Sequence, residues 1–333
     1  MTTRIGINGF GRIGRSFLRG LLLSGRSDLQ VVAINDPAPA ETLAHLFEYD
    51  SLHGPFPNPV HFAGQILDAG FGPIRISSKA TPRDLAWSDV DIALESSGQF
   101  STMSAALQHL DNGSSRVLLS APAKDDAKTI VYGVNHGDIT PNDLMISNAS
   151  CTTNCLVPIA AVLQDTFGIE RGMMTTVHCY TRSQSTHDGP HDDLYRARAA
   201  AVSMVPTTSG AAQALGKVLP PLAGRITSHA IRVPTPNVSC IDLTVMLDKD
   251  ATPEQINAAF AQAADGAYHG IIGYTDRKLV SSDFKQNTNS AIFAADQTRV
   301  QDKRMARVLA WYDNEWGFAH RLADTAAEMG KHL

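Results

Sequence analysis

The residues most able to do chemistry lie in the run Ser147-Asn148-Ala149-Ser150-Cys151-Thr152-Thr153-Asn154-Cys155, just ahead of the apolar stretch 156–163. Ser150 is a suitable helix cap, which puts Cys151 at a helix N-terminus, where the dipole favours a thiolate. Hydroxyls and backbone N–H groups around it also suit an oxyanion. A thiol near its free pKa is only partly ionised at neutral pH, so a base is expected. His178, inside the strand-like run Thr175-Thr176-Val177-His178-Cys179-Tyr180-Thr181, is the candidate. His53, His136, His187, His191 and His269 lie in polar, loop-like sequence, where a solvated ring is the simpler reading. Taken singly, Cys151 also fits an inert buried thiol and His178 a satisfied core histidine.

A second group of residues fits a nucleotide. Gly9-Phe10-Gly11-Arg12-Ile13-Gly14 is G-x-G-x-x-G, with a strand-like run before it and a helical run from Ile13 to Ser24 after it. In that context Gly9 permits a tight turn, Gly11 lets the backbone approach a pyrophosphate, and Gly14 lets helix and strand pack closely. The helix start supplies N–H groups and a favourable dipole for the anion. The next strand-like run, 29–34, leads into Asp36, whose carboxylate can accept both ribose hydroxyls and would repel a 2′-phosphate. NAD is therefore expected over NADP. The bland alternative for Asp36 is a turn cap ahead of Pro37.

The elements that must position these groups imply an α/β fold. The β-α-β unit over the first thirty or so residues belongs to a doubly wound parallel sheet of Rossmann type. Further strand-like runs follow at 74–76, 92–95, 116–120, 130–131 and 144–146. The pattern changes near Ser150, beyond which longer runs at 172–180, 229–233 and 238–247 suit a mainly antiparallel sheet in a catalytic α+β domain. The expected division is 1–149 for the dinucleotide domain and 150–316 for the catalytic domain, with a closing helix, 317–333, packing back on the first. A chain of 333 residues exceeds what one core usually sustains.

Bulk composition excludes several function classes. With 43% hydrophobic residues, 18% charged and a net charge of −5, the chain reads as globular, and the charge argues against a nucleic-acid or anionic-membrane partner. No apolar run reaches a membrane span, and the first nine residues lack the apolar core of a secretory leader. The 4 Cys, at 151, 155, 179 and 240, show no zinc-ligand spacing and are expected as free thiols in a reducing cytoplasm, with no metal bound.

In these residues the chain resembles the glyceraldehyde-3-phosphate dehydrogenase family. The resemblance runs nearly end to end, through Ile7–Arg15, Tyr49–Gly54, Ser120-Ala121-Pro122, Ser147–Cys155, Met173–Thr181, Arg232-Val233-Pro234-Thr235-Pro236 and Trp311-Tyr312-Asp313-Asn314-Glu315. It implies phosphorylating oxidation of glyceraldehyde 3-phosphate to 1,3-bisphosphoglycerate with NAD, through a thiohemiacetal and a thioester on Cys151, with His178 as base. Thr181 and Arg232 would hold the substrate's phosphate. Ser150, Thr152, Ser209 and Gly210 would hold inorganic phosphate. Arg196, or else Arg198, would add to the anion site. Gly9, Gly11, Gly14, Arg12 and Ile13 would line the pyrophosphate, Asp36 the ribose, Ser120 the nicotinamide side and Asn314 the carboxamide. A homotetramer is implied, with the segment 181–204 near a neighbouring subunit.

The chain departs from the family pattern at Ser209, where the second hydroxyl of the phosphate loop is commonly threonine, and at Arg182-Ser183-Gln184, where an acid is frequent. Three other readings remain to be separated from this one: the related erythrose-4-phosphate dehydrogenases, a non-catalytic NAD-binding redox sensor, and a Cys-His hydrolase. The last leaves the glycine run without a purpose.

Overall fold

A computed structural model describes residues 2–333, and the chain divides into two compact units. One takes the chain up to Ser150 together with Ala319–Leu333; the other is Cys151–Phe318.

The first unit contains β1 (Thr3–Asn8), α1 (Arg12–Leu23), β2 (Leu29–Asn35), α2 (Ala40–Glu48), β3 (His61–Ala63), β4 (Ile66–Asp68), β5 (Ile74–Ser77), β6 (Ile92–Glu95), α3 (Met103–Ala106), β7 (Arg116–Leu119) and β8 (Met145–Ser147). They form one sheet in the order β3-β4-β5-β2-β1-β6-β7-β8, parallel except for the pairings of β4 with β3 and β5. The chain winds outward in both directions from β1, so the carboxyl end of β1 is a topological switch point, where such sheets bind ligands. β1 is buried along its whole length except at Arg4, as expected of a central strand covered on both faces. The helix α1 follows as expected, burying Phe17, Leu18 and Leu21 on its sheet face.

Residues 130–131 are not a strand, contrary to the reading of their sequence. The Asn135 side chain accepts from the Val131 amide at 2.8 Å and donates to the Thr129 carbonyl at 3.0 Å, turning the chain away after a single bridge from Thr129 to Ser147. The C-terminal residues are fixed to this unit by named contacts: Arg26 pairs with Asp324 at 2.6 Å, Thr325 donates to Asn148 at 2.7 Å, and the Arg321 guanidinium lies over the Tyr132 ring.

Beneath the glycine run sits a buried polar chain. Glu95 accepts from Asn8 at 2.6 Å and meets His109 at 3.0 Å, and Asn8 in turn accepts from Asn35 at 2.8 Å. The His109 ring stacks on Trp87, whose indole fills the space that Gly6 leaves by having no side chain.

The second unit contains α4 (Cys151–Phe167), β9 (Ile169–Cys179), β10 (Val205–Thr208), α5 (Ala211–Val218), β11 (Ile226–Val233), β12 (Ser239–Leu247), α6 (Pro253–Asp265), β13 (Ile272–Thr275), β14 (Ala291–Ala294), β15 (Arg299–Gln301) and β16 (Met305–Tyr312), and it begins α7 (Trp316–Gly330). The sheet order is β10-β11-β9-β12-β16-β14-β13, with β15 beside β16. Only β9–β11 and β13–β14 run parallel, so the sheet is mainly antiparallel. Alternating burial along β12 and β16 is the signature of a sheet with one face covered. The cover includes α4, buried along most of its length despite Pro158 in its interior.

Candidate active site

The glycine run is shaped for a ligand. Gly9 has φ +94°, and a Cβ there would collide with the backbone of Ser96 and Ser97; at Gly14 it would strike the Gly9 carbonyl. At Gly11, the N-cap of α1, a Cβ would meet nothing within 4 Å. Two glycines are therefore needed to fold the loop, while the third keeps open space in front of a helix N-terminus. That is the room a pyrophosphate requires. Asp36 holds the loop in place by accepting from the Phe10 amide at 2.9 Å, and it also accepts from Ala38 at 3.0 Å. Asp36, the residue directly after β2, thus caps a turn. The Arg12 guanidinium is turned away into an ion pair with Asp50. Burial alone would raise the Asp50 carboxyl, but the amides of His53 and Leu52 together with Arg12 outweigh it and hold it down to about 2. Ile13 and Ser120 are half-buried; the Ser120 amide donates to the Glu95 carbonyl at 3.0 Å.

In the second unit the thiol and the imidazole meet. Cys151 opens α4, and its Sγ lies 3.5 Å from His178 Nε2 on β9. Just before the helix the chain passes through the left-handed region at Ala149, φ 55°. The parallel register of β9 and β11 sets Arg232 beside His178, and a guanidinium nitrogen, Nη1, stands 2.6 Å from His178 Nδ1 and 2.9 Å from the Cys179 carbonyl. Nδ1 is also 2.8 Å from that carbonyl. Arginine can only donate, so against Arg232 the nitrogen Nδ1 accepts and the ring proton sits on Nε2, facing the sulfur.

The electrostatics at Cys151 run against the helix dipole. Burial raises the Cys151 pKa above its ordinary value, and Arg232 with the Thr152 amide offsets only part of this. The helix start is present, but the dry surroundings dominate. Burial, reinforced by the Arg232 charge, lowers His178 to about 3. The imidazole is therefore neutral at physiological pH, as a base must be.

The polar residues expected to hold phosphate are each engaged locally. Arg196 donates to Thr207 through Nε at 3.0 Å and Nη2 at 2.9 Å, on the strand that leads to Ser209 and Gly210. Arg198 instead pairs with Asp188 at 2.9 Å. The Ser209 hydroxyl accepts from Ala211 and its carbonyl from Ser228, which sets Gly210 as the N-cap of α5. Thr181 shares a hydrogen bond of 3.0 Å with Ser183. Ser150 directly precedes α4. The Thr152 hydroxyl points inward to Tyr312 Oη at 2.8 Å. Among the described residues no group of three or more His, Cys, Asp or Glu could hold a metal ion, and no helix is long and apolar enough to cross a membrane.

Two family models match: the NAD binding domain of glyceraldehyde 3-phosphate dehydrogenase over residues 3–103, and its C-terminal domain over 150–314. Full-length relatives named glyceraldehyde-3-phosphate dehydrogenase are 54% identical in Cereibacter sphaeroides, over all of both chains, and 54% identical in Xanthobacter flavus, over 99% of each. One from Geobacillus stearothermophilus is 49% identical over 98% of each chain. The chain belongs to the glyceraldehyde-3-phosphate dehydrogenase family. As a glyceraldehyde-3-phosphate dehydrogenase family member it is an NAD-dependent oxidoreductase, and the glycine run, with Gly11 left open, fits that cofactor.

Sequence reasoning passed over several residues of this family site. Tyr312 is one: its hydroxyl lies 2.8 Å from both Thr152 and Thr176, tying the first turn of α4 to β9. Alternation along β16 carried the signal, since Tyr312 falls on the buried face. Asp313 is another; its carboxylate accepts from the amides of Glu315 and Trp316 and so caps α7. That cap holds Asn314 in a fixed loop. Thr207, Ser239 and Cys179 were also missed, because a lone hydroxyl or thiol in a strand carries no pattern.

Proposed function

We propose that this chain oxidises glyceraldehyde 3-phosphate, the aldehyde in the names of its relatives, with NAD and phosphorylates the product. The observation that carries this reading is the 3.5 Å approach of Cys151 Sγ to His178 Nε2, with Arg232 bonded to the far ring nitrogen. When bound, NAD supplies the hydride acceptor. The residues of the glycine run, with Asp36, Ser120 and Asn314, would hold it.

The chain's own groups do the rest. Cys151 Sγ bonds to the aldehyde carbon and the thiol proton goes to the carbonyl oxygen, giving a thiohemiacetal. His178 Nε2 accepts that hydroxyl proton as the carbon is oxidised, leaving a thioester on Cys151. An oxygen of inorganic phosphate then bonds to the acyl carbon, the C–S bond breaks, and Cys151 regains a proton from His178. The base role needs a lone pair on Nε2. The substrate's phosphate supplies the means: it draws Arg232 away from Nδ1, and Nδ1 can then carry the ring proton toward the Cys179 carbonyl, 2.8 Å away. Ser150, Ser209, Gly210 and Arg196 would take inorganic phosphate. The Thr152 hydroxyl is committed to Tyr312, so its contribution there is its amide or an accepted bond.

A homotetramer is part of the reading. Leu194, Val202 and Met204, each more than three-quarters exposed, and Tyr195, at 61%, leave apolar side chains uncovered in the segment 181–204. Other copies of the chain would cover it, in a reducing cytoplasm.

The test is a rate comparison. NADH formation from glyceraldehyde 3-phosphate should require inorganic phosphate or arsenate and should exceed the rates with erythrose 4-phosphate and with NADP. Equal or faster turnover of the tetrose would reassign the substrate. Turnover of neither aldehyde, with NAD still bound, would overturn the activity altogether.

A further inference from the structure

Asn314 is held by only one end of its amide. Its Oδ1 lies 3.2 Å from the Cys179 sulfur and 3.2 Å from the Ser239 hydroxyl. Ser239 Oγ in turn accepts from the Cys179 amide at 3.1 Å. The three side chains are 1–5% exposed, and the Asn314 Nδ2 makes no hydrogen bond among the described residues.

Amide oxygen and nitrogen are told apart by their partners. Ser239 already accepts the Cys179 amide hydrogen, so its own hydrogen needs an acceptor, and Asn314 Oδ1 provides one. Burial pushes the Cys179 thiol up to about 12, so it stays protonated and is a second donor to the same oxygen. The reverse orientation would set the amide NH2 against a weak sulfur acceptor and leave the serine hydrogen with no partner. Buried polar groups without partners are costly.

We propose that Cys179 and Ser239 are positioning residues that lock the Asn314 amide with its oxygen inward, so that it offers the cofactor hydrogen-bond donors only. This rests on the reading that Asn314 faces the nicotinamide carboxamide. The site would then recognise the carboxamide oxygen and set which way that group is turned, which fixes the ring face it accompanies.

The experiment measures dissociation constants by calorimetry for NAD and for nicotinic acid adenine dinucleotide, in which an acceptor-only carboxylate replaces the carboxamide. The full-length protein is compared with Cys179→Ala/Ser239→Ala, Cys179→Ser and Asn314→Ala. In the double variant the oxygen loses both inward donors and the amide is free to flip. An outward oxygen repels the carboxylate, while NAD can answer by rotating its carboxamide. The ratio of the two constants should therefore rise by about tenfold against the acid dinucleotide, the effect of one charged hydrogen bond. Cys179→Ser retains a donor and should keep the original ratio, which a mere packing role for the thiol would not require. A ratio unchanged within twofold in the double variant, while Asn314→Ala still weakens both dinucleotides, would overturn the locking. No effect of Asn314→Ala on either dinucleotide would overturn the underlying assignment of Asn314 itself.

Discussion

Two helix starts in this chain have the same local physics and different surroundings. At the start of α1 the space before Gly11 is open and the Arg12 guanidinium is paired with Asp50. At the start of α4 the first residue is a half-buried thiol, and the nearest charge, Arg232, is bonded to an imidazole. Both stand at the positive end of a helix dipole. The first is suited to receive an anion from outside. The second sits in an environment that raises its own thiol's pKa, so that ionisation waits on a partner. A helix N-terminus is therefore an opportunity whose use is decided by burial.

The sharpest break in this comparison is at the second start. Cys151→Ser should lower NADH formation by on the order of 10⁴-fold or more while leaving NAD affinity intact, measured by steady-state kinetics and calorimetry. His178→Asn should slow it by roughly 10²–10⁴. Near-normal turnover in either variant would remove that residue from the chemistry.

At the first start the two kinds of glycine should separate. Gly9→Ala should destabilise the protein by about 1–3 kcal/mol from its positive φ alone, and more from the collision with Ser96 and Ser97. Gly11→Ala should leave stability within about 1 kcal/mol yet weaken NAD binding, because its methyl group takes up the open space. Equal loss of stability in both would erase the distinction between folding and binding glycines.

A smaller effect is expected from acid. The imidazole of His178 is held at about 3 in the folded chain against roughly 6.5 in the unfolded one. Between those values the unfolded state binds a proton that the folded state refuses. Stability contributed at neutral pH is thus lost as pH falls through that window, with a slope of at most about 1.4 kcal/mol per pH unit. His178→Asn should flatten the slope, read from denaturant midpoints between pH 6.5 and 4. An unchanged slope would show that the ring is protonated in the folded chain.

The smallest effect is expected at Arg12. The Asp50 carboxyl is low, so its contribution is present above its ordinary value and is lost as pH falls toward 2. Because Arg12 is 30% exposed, Arg12→Met should cost only about 1 kcal/mol at neutral pH and less in high salt. A loss of several kcal/mol would mean that the first helix start is as enclosed as the second.

What the sequence made legible was local. Gly9, Gly11 and Gly14 are spaced by the turn they make, and the first β-α-β unit is set by neighbours along the chain, so both could be read. The placement of Cys151 at a helix start could be read for the same reason. The upward shift of that thiol's pKa could not, because its cause is burial, which only the folded unit creates. The end at 130–131 was misread because the Asn135 side chain replaces a strand partner. The amide direction at Asn314 depends on residues 135 and 75 positions away, a relation that no spacing rule contains.

Trp87 can report on its own unit alone. It is the only tryptophan of the first unit, fully enclosed against His109, while Trp311 and Trp316 belong to the second. Intrinsic emission can therefore be assigned unit by unit: replacing Trp311 and Trp316 with phenylalanine leaves a single indole whose red shift times the opening of the nucleotide-binding half, independently of whatever the thiol-bearing half is doing.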